Sequence, residues 1–340
     1  MQSFAIRDRV DARVAVRGKR IFEIISDELA LVEDEFERQA ASNIQVIDYL
    51  GDYLRGSGGK RVRPALLILA NYAVGGDARE PRVVRMATVM EMLHTATLVH
   101  DDIIDNAALR RNRASVNARF GNQTAVLMGD WLYMSAFETT VRERSLEIID
   151  ILTRLTRKMT EGELIQLTTI GSLTISKDDH LDIICRKTAY LFSACCEVGA
   201  ILGGASHEIR SAMAEFGMQL GIAFQLVDDL LDLVSTVDDL GKLAGSDLLQ
   251  GKLTLPLIML LECEPDVQPA LEEIMLSGNY QGFSRQQLND RLAAHGIMER
   301  VRVEAEAHAQ QARKSIDVLP ETEYRTCLAD MLAFVIDRNI

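Results

Sequence analysis

The chain has 340 residues, of which 48% are hydrophobic and 26% are charged, and its formal net charge is -13. This composition is ordinary for a globular protein and excludes global disorder. The acidic balance disfavours a nucleic-acid backbone as the main partner, because phosphate contacts need a basic surface.

Cysteine usage and apolar runs bound the location of the protein. The five cysteines form no CxxC pair, which disfavours zinc and a disulfide framework and indicates a reducing cytoplasm. The first twenty residues mix charges and lack an apolar signal core. The longest apolar runs are far shorter than the roughly 20 residues that span a bilayer. We therefore predict no transmembrane segment, which leaves open weak attachment to a membrane surface.

Helical periodicity dominates the chain, while alternating strand patterns are almost absent. We predict helices over Ile21–Arg38, from about Pro64, and over Arg82–Asp105, Gln123–Arg144, Leu146–Leu167, Asp178–Leu202, Ser211–Val234, Leu255–Glu264, Pro269–Ser277, Arg285–His295, Met298–Val318 and Glu321–Ile336. No linker rich in Pro, Gly or Ser divides these helices. The sequence therefore predicts an all-α fold, a multi-helix bundle in a single domain over 1–340, with 1–20 as a loosely ordered N-terminal segment.

Two acidic motifs stand out, HDDIID from His100 to Asp105 and VDDLLD from Val227 to Asp232. Carboxylates three and four residues apart repel one another on a helix, so two such clusters predict a cation between them. Oxygen-only ligands favour magnesium. A solvated acidic helix end is the usual reading of one such motif, and the second copy argues against it. The candidate metal-binding residues are Asp101, Asp102, Asp105, Asp228, Asp229 and Asp232.

Five basic segments could supply an anion site beside these carboxylates. They contain Lys60, Arg61 and Arg63 in GGKRVRP, the pair Arg110 and Arg111, the run Arg186 to Thr188, and the single residues Lys242 and Lys252. Each segment alone is more often a solvated surface. His94 and Gln225 share faces with the acidic motifs, although alone each favours a structural role. Together the segments predict a pocket with anion contacts on one side and a divalent metal on the other.

In this order, GGKRVRP, LHTATLVHDDIID, GELIQL, GIAFQLVDDLLD and GKLAGSDLLQGKLTLP resemble the trans-isoprenyl diphosphate synthases, from about Ile44 to the C-terminus. The long-chain, octaprenyl-like branch looks closest. The resemblance implies an all-α bundle around a central cavity, usually a homodimer. It implies a prenyltransferase that adds isopentenyl diphosphate head-to-tail to an allylic diphosphate, with Mg²⁺ as cofactor (three ions with substrate bound).

The resemblance also implies roles for individual residues. Asp101 and Asp105 match metal ligands supported by Asp102, and Asp228 matches the ligand of the second motif. Asp229 and Asp232 match positions that act through water on the metal. The residues that match the isopentenyl diphosphate site are Lys60, Arg63, His94 and Arg111. Those that match the allylic diphosphate site are Arg110, Lys187, Thr188, Gln225, Lys242 and Lys252, and Lys187 and Lys242 join Asp101, Asp102, Asp105 and Asp228 as the catalytic set. Glu163 and Gln166 match the cavity wall.

Small residues before the first motif predict a long product. In the family, one helical turn on this wall spans roughly one isoprene unit, and bulky residues there stop growth. Ala96 and Thr97 are small and Leu93 is not large, so we expect a hexa- to decaprenyl product, with octaprenyl favoured. Simple packing against a neighbouring helix is the structural alternative. Trp131, Met134 and Phe137 lie near the expected end of the tunnel, where a core or interface role is the more common one.

Other readings stay open at the level of sequence. The chain could be a shorter-chain farnesyl or geranylgeranyl diphosphate synthase. A class I terpene cyclase would normally carry a different second motif and has no need of GGKRVRP. A regulatory subunit of a heteromeric synthase would tend to lose acidic motifs that are intact here. The allylic primer and the fate of the product, a quinone side chain or another lipid, are not determined by the sequence.

Overall fold

In a computed structural model, residues 20–40, 44, 47, 61–110, 113–234 and 245–337 are described. Three predicted site residues, Lys60, Arg111 and Lys242, lie outside these ranges. The predicted N-terminal segment also lies outside them, apart from residue 20.

Helices make up nearly all of the described chain. The α-helices are α1 (Ser26–Ala40), α2 (Val62–Ala73), α3 (Pro81–Ile104), α4 (Val116–Phe120), α5 (Asn122–Arg142), α6 (Leu146–Thr169), α7 (Lys177–Ile184), α8 (Tyr190–Leu202), α9 (His207–Val234), α10 (Ser246–Leu249), α11 (Leu255–Cys263), α12 (Gln268–Ser277), α13 (Arg285–Ala294), α14 (Ile297–Ser315) and α15 (Glu323–Ile336). Among the described residues the strands are limited to a small antiparallel pair, β1 (Leu109–Arg110) and β2 (Arg113–Ala114). The all-α prediction is confirmed.

Two predicted helices are interrupted in the structure. The first was expected from Ile21 to Arg38, but residues 20–23 form a separate helical turn and α1 begins at Ser26. The helix expected from Asp178 to Leu202 is interrupted by a π-helical segment, Cys185–Ala189, which joins α7 to α8. Such single-turn π segments often occur at functional sites, because the extra residue redirects side chains.

Local signals explain where the helices that carry the site begin. Pro81 stands in the first turn of α3, where a missing N–H costs no hydrogen bond. The Ser176 hydroxyl oxygen accepts a hydrogen bond from the backbone N–H of Asp179, and the Asp179 carboxylate accepts one from the backbone N–H of Ser176. The two bonds form a capping box at the start of α7. Ahead of α2, Arg61 has a left-handed φ of 47°, an uncommon conformation for a residue with a Cβ.

The longest helix, α9, runs through the middle of the bundle. Its first half packs against α8 and contributes Phe216 to a core that also holds Phe192 and residues of α2, α3, α5 and α6, with both phenylalanines fully buried. Its second half contributes Leu226 and Leu230 to a separate core with residues of α11, α13 and α14. Burying a side chain of this size contributes about 1.5–3 kcal/mol. The acidic motif at the end of α9 is therefore held on a rigid support.

Two expectations from composition can be compared with the structure. None of the described helices has the length and apolar character required to cross a membrane. All five cysteines are free thiols.

Candidate active site

A cavity of about 1030 Å³ lies between α3, α5, α6, α7, the π segment and α9. The predicted site residues that line it are Arg63, His94, Thr97, Asp101, Arg110, Glu163, Gln166, Lys187, Thr188, Gln225, Asp228, Asp229 and Lys252. Apolar side chains line another part of its wall, among them Met134, Phe137, Met159, Leu164 and Leu167. Charged groups and an apolar wall therefore share one cavity, as expected for a ligand with a polar head and a hydrocarbon tail.

The three carboxylates of the first motif point in three directions. Asp101 lines the cavity. Asp102 is turned into the protein, 1% exposed, where its Oδ1 accepts hydrogen bonds at 2.7 Å from Nε and Nη2 of Arg110. Asp105 accepts from Nζ of Lys252 at 3.1 and 3.2 Å. Separate cationic partners thus relieve the repulsion that the sequence spacing predicts.

The electrostatics around Asp101 indicate a shortage of positive charge. Burial, together with the nearby carboxylates of Glu163 and Asp105, raises the pKa of Asp101 to about 7 against the opposing effect of Lys187 and Arg110. Burial also raises the pKa of Asp102 against the opposing effect of Arg110. An additional cation at this position would therefore be stabilising.

The carboxylates of the second motif also separate. Asp228 lines the cavity. Asp229 is 3% exposed, and its oxygens lie 2.9 Å from Nε2 of His180 and 3.0 Å from Nε2 of Gln225. Asp232 turns away and accepts at 2.8 Å from the Ser246 hydroxyl and at 3.1 Å from the backbone N–H of Asp247, which fixes the start of α10. The metal-directed role expected for Asp232 is thus accompanied by a structural one.

The π segment directs Lys187 and Thr188 into the cavity. Nζ of Lys187 lies 2.6 Å from Oε1 of Glu163 and also donates to Gln166, both on α6. The Thr188 hydroxyl donates to Oε1 of Gln225 at 2.9 Å. These contacts place Lys187 and Thr188 between the two acidic motifs.

Two glycines make room for the π segment. A Cβ at Gly162 of α6 would lie 2.7 Å from Cβ of Arg186 and 3.0 Å from Cγ of Lys187. A Cβ at Gly221 of α9 would lie 2.5 Å from Cα of Ala189. Side chains at these positions would push the segment, and with it Lys187, out of place.

GGKRVRP does not act as one anion cluster. Arg63 lines the cavity, with its guanidinium 5.2 Å from the ring centre of Phe192. Arg61, which the sequence grouped with it, turns inward to Glu33 and donates to Oε1 of Glu91 at 2.7 Å. This corrects the expectation that Arg61 faces an anion, because its charge is used to join α1, α2 and α3.

The residues predicted to set product length differ in their exposure to the cavity. Thr97 lines the cavity, whereas Ala96 and Leu93 are 0% and 1% exposed within the core. Successive residues on a helix are about 100° apart, so neighbours such as Ala96 and Thr97 cannot both face one cavity equally. Met134 and Phe137 line the cavity, and Trp131 packs against the core.

The donor set fits a hard divalent cation that is completed by substrate. Within the described ranges, no three His, Cys, Asp or Glu side chains come together closely enough to hold an ion alone. Magnesium is usually held by one or two carboxylates, with waters and substrate phosphates as the other ligands. Asp101 and Asp105 from α3 and Asp228 from α9 could serve in that way.

His180 and Tyr133 are among the lining side chains that were not singled out from the sequence. His180 of α7 lines the cavity beside Asp229, and Tyr133 of α5 lines it close to His100, with ring centres 5.9 Å apart. Burial and the charge of Asp101 raise the pKa of Tyr133, so its hydroxyl stays protonated. The one available signal for His180 was its place seven residues before Lys187, two helical turns away.

Comparisons with known proteins agree with this geometry. A family model described as polyprenyl synthetase matches residues 44–287. Octaprenyl diphosphate synthase of Escherichia coli is 35% identical over 94% of this chain and 99% of its own length. A polyprenyl synthase structure from Caulobacter crescentus, complexed with calcium and isoprenyl diphosphate, has a TM-score of 0.89 at 31% identity, covering 94% and 98% of the two chains.

A decaprenyl diphosphate synthase structure from Rhodobacter capsulatus has a TM-score of 0.87 at 32% identity, with the same coverage. The family model covers well over half of the chain, and the Escherichia coli relative matches it nearly end to end. The chain therefore belongs to the polyprenyl synthetase family of trans-prenyltransferases.

Proposed function

We propose that this protein is a long-chain polyprenyl diphosphate synthase. It adds isopentenyl diphosphate units head-to-tail to an allylic diphosphate and makes an all-trans product in the hexa- to decaprenyl range, with octaprenyl favoured. One observation carries the proposal: a single cavity combines both acidic motifs and several cationic side chains with an apolar wall. The similarity to an octaprenyl and a decaprenyl diphosphate synthase supports the long product.

Around the allylic diphosphate, we propose that Asp101, Asp105 and Asp228 would hold the divalent metal, Mg²⁺, with three ions when substrate is bound. The calcium in the Caulobacter crescentus relative supports a divalent ion in this site. The metal supplies positive charge to the departing diphosphate. Lys187 contacts the carboxylate of Glu163, and Lys252 contacts the carboxylate of Asp105 in the first motif. Both lysines would exchange these contacts for phosphate oxygens.

The reaction needs no side-chain nucleophile. The allylic C–O bond breaks, and diphosphate leaves with the electron pair while Lys187 and Lys252 stabilise its charge. The double bond of isopentenyl diphosphate then forms the new C–C bond to the allylic carbon. A proton is lost from the adjacent carbon, and the released diphosphate is the base that the site provides. The apolar wall keeps water from the allylic cation.

Isopentenyl diphosphate is bound on the side of Arg63 and His94. Both residues line the cavity, and Arg63 stands in the first turn of α2, where backbone N–H groups favour an anion. Lys60 and Arg111 complete this subsite in the proposal. Arg110, Thr188, Gln225 and Lys242 complete the allylic subsite.

The product grows along the apolar wall past Thr97 towards Met134 and Phe137. Thr97 is the small residue that faces the cavity, so it leaves room for a tail. Phe137 and Met134 of α5 line the same cavity. We propose that this part of α5 helps to limit the number of isoprene units.

We also propose that the protein is a homodimer formed through α5. Leu127, Met134 and Val141 lie seven residues apart on α5. Their exposed fractions are 68%, 63% and 57%, respectively. An apolar stripe with this repeat is typical of a helix that packs against another helix. Sedimentation of the purified chain should give twice the monomer mass, and Leu127→Glu should shift it towards the monomer.

We further propose a cytoplasmic location, with transient contact to a membrane surface for product release.

The function is tested by incubating the purified chain with labelled isopentenyl diphosphate, farnesyl diphosphate and Mg²⁺. Acid-labile elongated products that disappear with EDTA are expected. A farnesyl or geranylgeranyl end product would instead identify the shorter-chain alternative. A cyclic hydrocarbon would indicate a class I terpene cyclase, and no turnover by the chain alone would indicate a subunit of a heteromeric synthase.

A further inference from the structure

His180 is a buried polar residue of the cavity wall that the reaction described above does not use. It lies in α7, is 7% exposed, and its backbone N–H donates to the carbonyl of Ser176 within the capped first turn of that helix. The capping box and the π segment that follows fix α7 at both ends. The imidazole is therefore presented to the cavity from a rigid position.

The contact of His180 is with the second acidic motif. Nε2 of His180 lies 2.9 Å from Oδ2 of Asp229, and both side chains are less than a tenth exposed. A carboxylate oxygen is a hydrogen-bond acceptor, so Nε2 of His180 is the donor in this contact. A hydrogen bond to a charged group in a buried site is worth more than one between neutral groups.

Asp229 is held from its other side as well. Its Oδ1 accepts from Nε2 of Gln225 at 3.0 Å, and Oε1 of Gln225 accepts from the Thr188 hydroxyl at 2.9 Å. A chain of hydrogen bonds therefore joins the π segment, α9 and α7, with His180 at one end. Removing His180 would leave one oxygen of a buried carboxylate without its donor, and Asp229 would be held from the Gln225 side alone.

Direct metal binding by His180 is disfavoured, since magnesium prefers oxygen ligands to imidazole. The neighbouring Asp228 lines the same cavity as Asp229. The orientation of Asp229 bears on Asp228 because the two are consecutive residues in the last turns of α9. Outer hydrogen bonds of this kind commonly orient the groups that hold a metal.

We propose that His180 is a positioning residue that fixes Asp229, and through it the second acidic motif, for binding of the metal–diphosphate group. This rests on the proposed function, because it assigns His180 to the allylic diphosphate subsite. The isopentenyl diphosphate contacts at Arg63 and His94 come from α2 and α3 and do not depend on it. His180 should therefore affect metal and allylic substrate, and leave isopentenyl diphosphate binding unchanged.

The test compares His180→Phe, which removes the hydrogen bond, with His180→Gln, which keeps an N–H donor. Mg²⁺ binding is measured by calorimetry in the presence of a thio analogue of farnesyl diphosphate that does not ionise. His180→Phe should weaken Mg²⁺ binding by about 10- to 100-fold, and His180→Gln should recover most of that loss. The KM for isopentenyl diphosphate should stay at the wild-type value in both variants.

His308→Phe is the matched control. Nδ1 of His308 makes a 2.6 Å hydrogen bond to Oε1 of Gln219, also on α9 but outside the cavity lining. It should lower the melting temperature without changing Mg²⁺ binding. Wild-type Mg²⁺ affinity in His180→Phe, or equal weakening in His180→Phe and His180→Gln, would overturn the inference. A wild-type chain that binds Mg²⁺ with the analogue but never elongates would contradict the proposed function and not the role of His180.

Discussion

Gly162→Ala tests whether the close approach of α6 to the π segment is what directs Lys187 at the substrate. The new Cβ would lie 2.7 Å from Cβ of Arg186, whereas ordinary van der Waals contact begins at 3.4 Å. The π segment must therefore retreat by about 0.7 Å, because Cβ of Arg186 is next to the backbone and cannot swing aside. A displacement approaching 1 Å of a group that orients substrate can cost about 100-fold in rate.

The effect on stability should be much smaller than the effect on rate. Alanine in place of glycine favours the helix by about 1 kcal/mol, while overpacking costs about 1–3 kcal/mol. The net loss in the free energy of unfolding should therefore be at most about 2 kcal/mol. We expect kcat for elongation to fall by about 10- to 100-fold with the fold intact.

Steady-state elongation and thermal unfolding are the two assays. Thr153→Ala is the matched control on the same helix, since Thr153 is exposed and its hydroxyl bonds only the carbonyls of Ile149 and Asp150. It should change neither quantity. A Gly162→Ala enzyme with wild-type kcat would refute the reasoning, as would a loss of activity that merely follows the loss of folded protein.

Three further predictions concern individual side chains. Because the folded-state pKa of Asp101 is raised from 3.8 to about 7, the metal-free protein should lose stability as the pH rises through about 7. Asp101→Asn should therefore raise the melting temperature at about pH 8 in EDTA, and it should abolish activity. A lower melting temperature in this variant would contradict the pKa assigned to Asp101. Thr97→Phe should shift the product masses to fewer isoprene units while incorporation of the first unit continues; unchanged masses would remove Thr97 from the wall. Arg61→Met should reduce the free energy of unfolding by about 3 kcal/mol, because Glu33 and Glu91 lose their shared cation; denaturant unfolding that shows a loss below about 1 kcal/mol would refute the buried network.

The helices and the pairing of acidic motifs were predictable from the sequence because both depend on local pattern. Apolar periodicity marked α3 and α9, and Pro64 marked the first turn of α2. Two carboxylate clusters that each follow an apolar helix implied a shared cation, and the structure brings Asp101 and Asp228 to one cavity.

The direction of each side chain within a motif depends on tertiary packing and was not predictable. Asp101 and Asp102 are neighbours of the same type, but only the packing of Arg110 decides that Asp102 faces inward. In the same way Thr97 faces the cavity while Ala96 faces the core. The π segment Cys185–Ala189 was also missed.

The central claim is that one cavity joins the metal–diphosphate site to a tunnel for a long tail, and the length of the product tests it most directly. The purified chain is incubated with isopentenyl diphosphate in excess, farnesyl diphosphate and Mg²⁺, and the polyprenols released from the products are weighed by mass spectrometry. The proposal predicts a dominant octaprenyl product within a hexa- to decaprenyl distribution. A distribution that ends at geranylgeranyl would contradict it.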